Sequence, residues 1–138
     1  MMTDEGYGKS SDLVSSAKYR LAQSGDALLR TCRLCVSIKT HYQGMSVDDA
    51  TKFFMENWYQ GDKPSRQEAI RGTFDPGYCF YTLGKLQILK LRDDYRVQEG
   101  KSYSLKKFHD LMLDNGMPPV RLLREMLLKD PKQWEKIL

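Results

Sequence analysis

Apolar side chains recur along this chain at three- and four-residue steps, the spacing that lines one face of an α-helix. From Ser15 to Tyr42 there is no proline and a single glycine, Gly25. Leu21, Leu28, Cys32, Cys35 and Ile38 share a stripe there, which predicts a long first helix stopped near Gly44. Ser46 can accept from free amides at the start of a second helix, and Asp48 and Asp49 suit its positive end. Ala50, Phe53, Phe54 and Trp58 give that helix an aromatic face. Ser65-Arg66-Gln67-Glu68 has the form of a capping box and predicts a short third helix from about Arg66 to Arg71.

Gly72-Thr73-Phe74-Asp75-Pro76-Gly77 interrupts the pattern with turn chemistry. Asp75-Pro76 then launches a long helix, with Tyr78, Tyr81, Leu86, Leu89 and Tyr95 inward and Gly100 at its end. Gly84 inside it costs roughly 1 kcal/mol relative to alanine and points to a close neighbour. Ser104 caps a helix carrying Leu105, Phe108, Leu111 and Met112, stopped at Asn115-Gly116. Pro118-Pro119 opens a last short helix carrying Val120, Leu122, Leu123, Met126 and Leu127. No stretch alternates apolar and polar residues for long enough to make a strand. The expected fold is all-α, about five to six helices in an irregular bundle. Residues 1–14, rich in Gly, Ser and Asp, read as a flexible lead-in, and residues 15–138 as a single helical domain.

Composition narrows the function classes. Hydrophobic residues make up 41% and charged residues 29% of 138 residues, the balance of a globular chain. The net charge of +4 comes from interleaved signs, as in Lys90-Leu91-Arg92-Asp93-Asp94, with no basic block to track a phosphate backbone. Nucleic acid is therefore not an expected partner. Apolar runs are far shorter than the roughly 20 residues that span a bilayer, so no membrane is expected either. The opening Met1-Met2-Thr3-Asp4-Glu5 lacks the basic start and apolar stretch of a secretory signal. Three cysteines give no disulfide framework and suit a reducing, cytoplasmic compartment.

Catalytic motifs are sparse. Cys32-Arg33-Leu34-Cys35 has no second pair and no suitably spaced histidines for a metal, and it falls mid-helix on the apolar stripe, where cysteines pack. The two histidines, His41 and His109, lack the spacing of a His-Glu-x-x-His helix. His41 either complements the negative end of the first helix or lines a cleft. The densest cluster runs from Arg71 to Lys85. Tyr78 and Tyr81, three apart, share a helical face. With Arg71 they form either an oxyanion- or carboxylate-binding set or an aromatic core beside a helix break.

That cluster resembles a known pattern. Arg71-Gly72-Thr73, Asp75-Pro76, Tyr78, Tyr81-Thr82-Leu83-Gly84-Lys85-Leu86 and Ile88-Leu89-Lys90-Leu91-Arg92 resemble the C-terminal region of the domain of unknown function 885 family. Arg30 to Leu34, His41, Asp48-Asp49-Ala50, Phe53-Phe54, Ser104 to Asp110 and Gly116-x-Pro118-Pro119 extend the match. Met1 to Gly8 resembles the segment after the family's Glu-Gly-Trp-Ala motif. The family resembles zinc peptidases with a His-Glu-x-x-His helix and a glutamate third ligand. The resemblance implies Tyr81 as oxyanion donor, with Tyr78, Arg71 and, more weakly, His41 as substrate contacts. It implies a turn-shaping role for Asp75. Ser37 and Lys39 stand where it leads one to expect smaller or acidic side chains.

The zinc expected in the full-length family has no ligands in this chain, so no cofactor is expected here. The chain therefore reads as the C-terminal portion of a larger helical metallopeptidase-like fold, inactive alone, facing a peptide substrate. Its partner would be the missing metal-binding portion or a second copy. The competing expectation is a stand-alone helical interaction module, or a pseudoenzyme remnant that kept the scaffold.

Overall fold

The computed structural model describes residues 13–138, so most of the expected lead-in, and the resemblance over Met1 to Gly8, lie outside the described residues. Within the described residues there are six α-helices and no strand, as an all-α fold requires. None of these helices is long and apolar enough to cross a membrane. The chain divides into two compact units, one ending at Thr82 and one spanning Leu83–Leu138.

The first unit contains α1 (Leu13–Gln43), α2 (Val47–Trp58), α3 (Asp62–Phe74), a 3-10 turn at Pro76–Cys79 and the opening of α4 (Phe80–Glu99). Its core joins Cys32 and Val36 of α1 to Ala50 and Phe54 of α2 and Ala69 of α3. Leu29, Cys32 and Val36 are the inward stripe of α1. The predicted outer members of the stripe, Leu21 and Ile38, face solvent. Residues 29, 32 and 36 follow the three- and four-residue steps of one helical face, and the part of α1 that packs into this core begins at Leu29, eight residues after Leu21.

Ser46 caps α2 as its sequence requires, its hydroxyl oxygen accepting from the Asp49 amide at 3.0 Å. Tyr59 closes α2 at φ 58°, the only non-glycine residue at positive φ among those described, with its ring 78% exposed. The capping box predicted at Ser65 does not form. The third helix starts four residues before Arg66, at Asp62, and Ser65 is buried inside it. Pro64 lies in the first turn, where its missing N–H leaves no helical bond unmade, and Glu68 is drawn elsewhere.

The second unit holds the rest of α4, α5 (Leu105–Asp114) and α6 (Val120–Leu127), with a 3-10 turn at Gly100–Ser102 and another at Pro131–Gln133. Leu91 and Tyr95 of α4 pack with Phe108, Leu123, Leu127 and Leu128. Ser104 caps α5, as expected. In α6, Leu122 and Met126 point to solvent. The inward positions are Leu123, Leu127 and, unexpectedly, Arg124, which is 0% exposed. No neighbour approaches Gly84: a Cβ added there would meet nothing within 4 Å.

Candidate functional site

The 3-10 turn and the first turn of α4 carry the sequence's densest cluster, and α1 holds them in place. The long helix does not begin at Asp75-Pro76. Pro76 to Cys79 wind as a 3-10 turn and α4 starts at Phe80, whose amide bonds the Gly77 carbonyl. A Cβ on Gly77 would lie 3.1 Å from the Asp75 carboxylate and 3.3 Å from the Phe80 ring, so a larger residue here would push one of those side chains aside by a few tenths of an ångström. Three α1 residues stitch it down. The Ser37 hydroxyl donates to the Pro76 carbonyl at 3.0 Å, and His41 Nε2–H donates to the Gly72 carbonyl at 2.9 Å. The Thr82 hydroxyl returns a bond to the Arg30 carbonyl at 3.0 Å. Gly72 sits in the last turn of α3, where carbonyls lack helical partners, so His41 satisfies an acceptor the helix leaves open. Lys39 lies over the Phe53 ring, 4.7 Å from its centroid.

Beneath the turn lies a charged network. Arg33 of α1 makes a bidentate pair with Glu68 of α3, both bonds 2.7 Å, with side chains only 15% and 16% exposed. The Tyr78 hydroxyl donates to the same carboxylate at 3.0 Å. The Arg33 and Arg71 guanidiniums lie 5.0 and 5.7 Å from the Tyr78 ring centroid. Burial pushes the Tyr78 phenol pKa far up, and the Glu68 charge adds to the shift, so the hydroxyl stays protonated. Burial also raises Glu68, but the Arg33 hydrogen bond and charge, helped by Tyr78 and Arg71, outweigh it. The carboxyl stays below its ordinary value. The hydrogen bond to Glu68 holds Arg33 above its ordinary value.

The four sequence-predicted residues therefore occupy different places. Tyr78 is 1% exposed and Tyr81 is 60% exposed, so the two phenols do not share a face. Tyr78 belongs to the buried network. Tyr81 is largely exposed, with the Arg30 guanidinium 5.8 Å from its ring centroid. Arg71 reaches the surface, with a 3.8 Å contact to Asp75 and its guanidinium over the Tyr78 ring. His41 is engaged with backbone. Sequence reasoning missed Arg33, Glu68 and Arg30. Arg33 had left a signal: a cation three and four residues from Val36 and Leu29, on the inward stripe.

No group of three or more His, Cys, Asp or Glu side chains among the described residues is placed to hold a metal ion. The donor set of these residues does not fit a catalytic zinc, which needs three protein ligands and an open position. Cys32 is buried, and burial followed by its neighbour Cys35 raises its thiol pKa, the behaviour of a packing residue.

No curated protein and no solved structure matches the chain. The family model described as "Bacterial protein of unknown function (DUF885)" matches residues 1–127, and the chain belongs to that family.

Proposed function

We propose, with membership of this family as the premise, that the first unit forms the substrate-facing wall of a metallopeptidase-like hydrolase. Tyr81 is the hydrogen-bond donor to a peptide carbonyl oxygen as it gains negative charge. Arg71, more than half exposed, contacts the peptide. Tyr78 and His41 act from below, fixing the turn that presents Tyr81 and Arg71. The observation that carries this reading is an exposed phenol beside a guanidinium, on a turn pinned by a buried ionic network. Such pinning supplies the preorganisation an oxyanion donor needs. The metal would come from residues other than those described, so the chain alone is expected to be inactive.

The test is peptide hydrolysis by the purified chain, alone and with a metal-bearing family segment supplied in trans. Cleavage is expected only in the mixture. Tyr81→Phe is expected to lower kcat by about 100-fold with little change in KM, the loss typical of one oxyanion donor. Equal kcat for the two proteins, or robust cleavage by the chain alone, would refute the reading.

A second reading is a helical interaction module. The exposed Tyr42, Phe74 and Phe80 favour it. It predicts self-association in sedimentation and no gain of hydrolysis in the mixture.

A further inference from the structure

We propose that a cleft within the second unit is a binding site for a small carboxylic acid with a short apolar tail. The cleft has a volume of about 390 Å³, within the range of small-molecule sites. Leu111, Met126 and Leu127 supply its apolar side. Two ammoniums, Lys107 and Lys129, and one carboxylate, Glu99, are its charged groups, an excess of one positive charge.

The geometry around Glu99 is loose. Lys107 and Lys129 stand 3.5 and 3.4 Å from its oxygens, and Ser102 and Gln98 stand 3.3 and 3.4 Å away. Both ammoniums face a carboxylate that is only 12% exposed, and neither closes to the 2.7–2.9 Å usual for a charge-assisted bond; the Ser102 proton goes instead to the Glu99 backbone carbonyl at 2.8 Å. Elsewhere in the same unit such bonds do close: Lys90 to Asp94 at 2.6 Å and Lys106 to Asp110 at 2.5 Å. The wall behind the lysines is firm. Gln98 donates to the Leu127 carbonyl at 3.1 Å and accepts from the Lys129 amide at 2.7 Å. The backbone is thus fixed while two ammonium tips share one acceptor at long range. A ligand carboxylate bridging the lysines makes short bonds and neutralises the excess charge, while the Gln98 amide remains beside Glu99. Its tail lies against Leu111, Met126 and Leu127.

Calorimetric titration of the whole chain with octanoate tests this at low ionic strength. One saturable site is expected, absent for octylammonium. Lys107→Gln with Lys129→Gln, both at exposed side chains, is expected to weaken binding at least about ten-fold while the far-ultraviolet spectrum stays unchanged. Glu99→Gln removes the competing carboxylate and is expected to tighten binding several-fold, a response that nonspecific adsorption would not give. It also serves if the double variant fails to fold. An acetylated dipeptide ending in leucine distinguishes the sources. Tighter binding than octanoate identifies a peptide terminus, and weaker binding a fatty acid. No saturable octanoate binding, or equal affinity in wild type and all variants, overturns the proposal.

Discussion

Each unit buries an arginine against a carboxylate, but the two pairs are finished differently. Arg33 meets both oxygens of Glu68 through two parallel bonds, and the Tyr78 hydroxyl adds a third contact to the same group. Arg124 gives one bond to Asp94 at 2.5 Å and one to the Gln133 carbonyl at 2.8 Å. Its Nη1 is buried with no partner among the described residues. Asp94 is shared with Lys90. A buried donor left unbonded costs about 1–3 kcal/mol. The first pair is complete and cradles an aromatic ring. The second spreads one carboxylate over two cations and leaves a donor over. Complete pairing fits a turn that must be held rigidly, whereas Arg124 ties α4, α6 and the closing 3-10 turn together at some internal cost.

Removing one carboxylate from each unit breaks the comparison most sharply. Asp94→Ala strands a fully buried cation and is expected to lower stability by about 3–5 kcal/mol. Denaturant unfolding measures the loss, and hydrogen exchange should place it in residues 83–138. Replacing both partners, Asp94→Leu with Arg124→Met, should recover most of it, since an apolar pair carries no desolvation cost. A double variant as unstable as Asp94→Ala would show that Arg124 stabilises through packing alone.

Glu68→Ala is expected to cost less, about 2–3 kcal/mol, because Arg33 keeps some access to water. It carries a second signature. Without the Glu68 charge the Tyr78 phenol should ionise at lower pH, read as tyrosinate absorbance in an alkaline titration. An unchanged titration would mean burial alone governs that hydroxyl.

Acid should separate the units by a smaller margin. Burial raises Asp94, but the Lys90 and Arg124 hydrogen bonds and charges outweigh it, so its folded value lies below the ordinary 3.8. Glu68 likewise lies below the ordinary 4.5. A depressed carboxyl contributes stability that is present above its unfolded value and lost as pH falls through the folded one. Exchange protection around Arg33 is therefore expected to weaken from about pH 4.5 downward, and around Arg124 only from about 3.8. Simultaneous loss from a higher pH would assign acid sensitivity to other carboxylates.

What the sequence revealed follows from distance along the chain. The serine caps at Ser46 and Ser104 and the inward Phe54 and Phe108 depend on neighbours within a few residues, and they stand as read. Glu68 looked like the last member of a capping box because its real partner, Arg33, is 35 residues away. For the same reason nothing near Arg124 in the sequence marks it as buried, its carboxylate lying 30 residues upstream. Tyr78 and Tyr81 belong to different elements, the 3-10 turn and α4, whereas reading the segment as one continuous helix put both phenols on one side. The family resemblance located the segment but could not say which tyrosine faces out.

Tyr59 ends α2 in a left-handed backbone conformation that costs a side-chain-bearing residue about 1–2 kcal/mol and glycine almost nothing. Tyr59→Gly should therefore raise the melting temperature. A large phenol thus stands where the backbone alone would favour glycine, and with its side chain mostly in solvent it returns little packing for that strain.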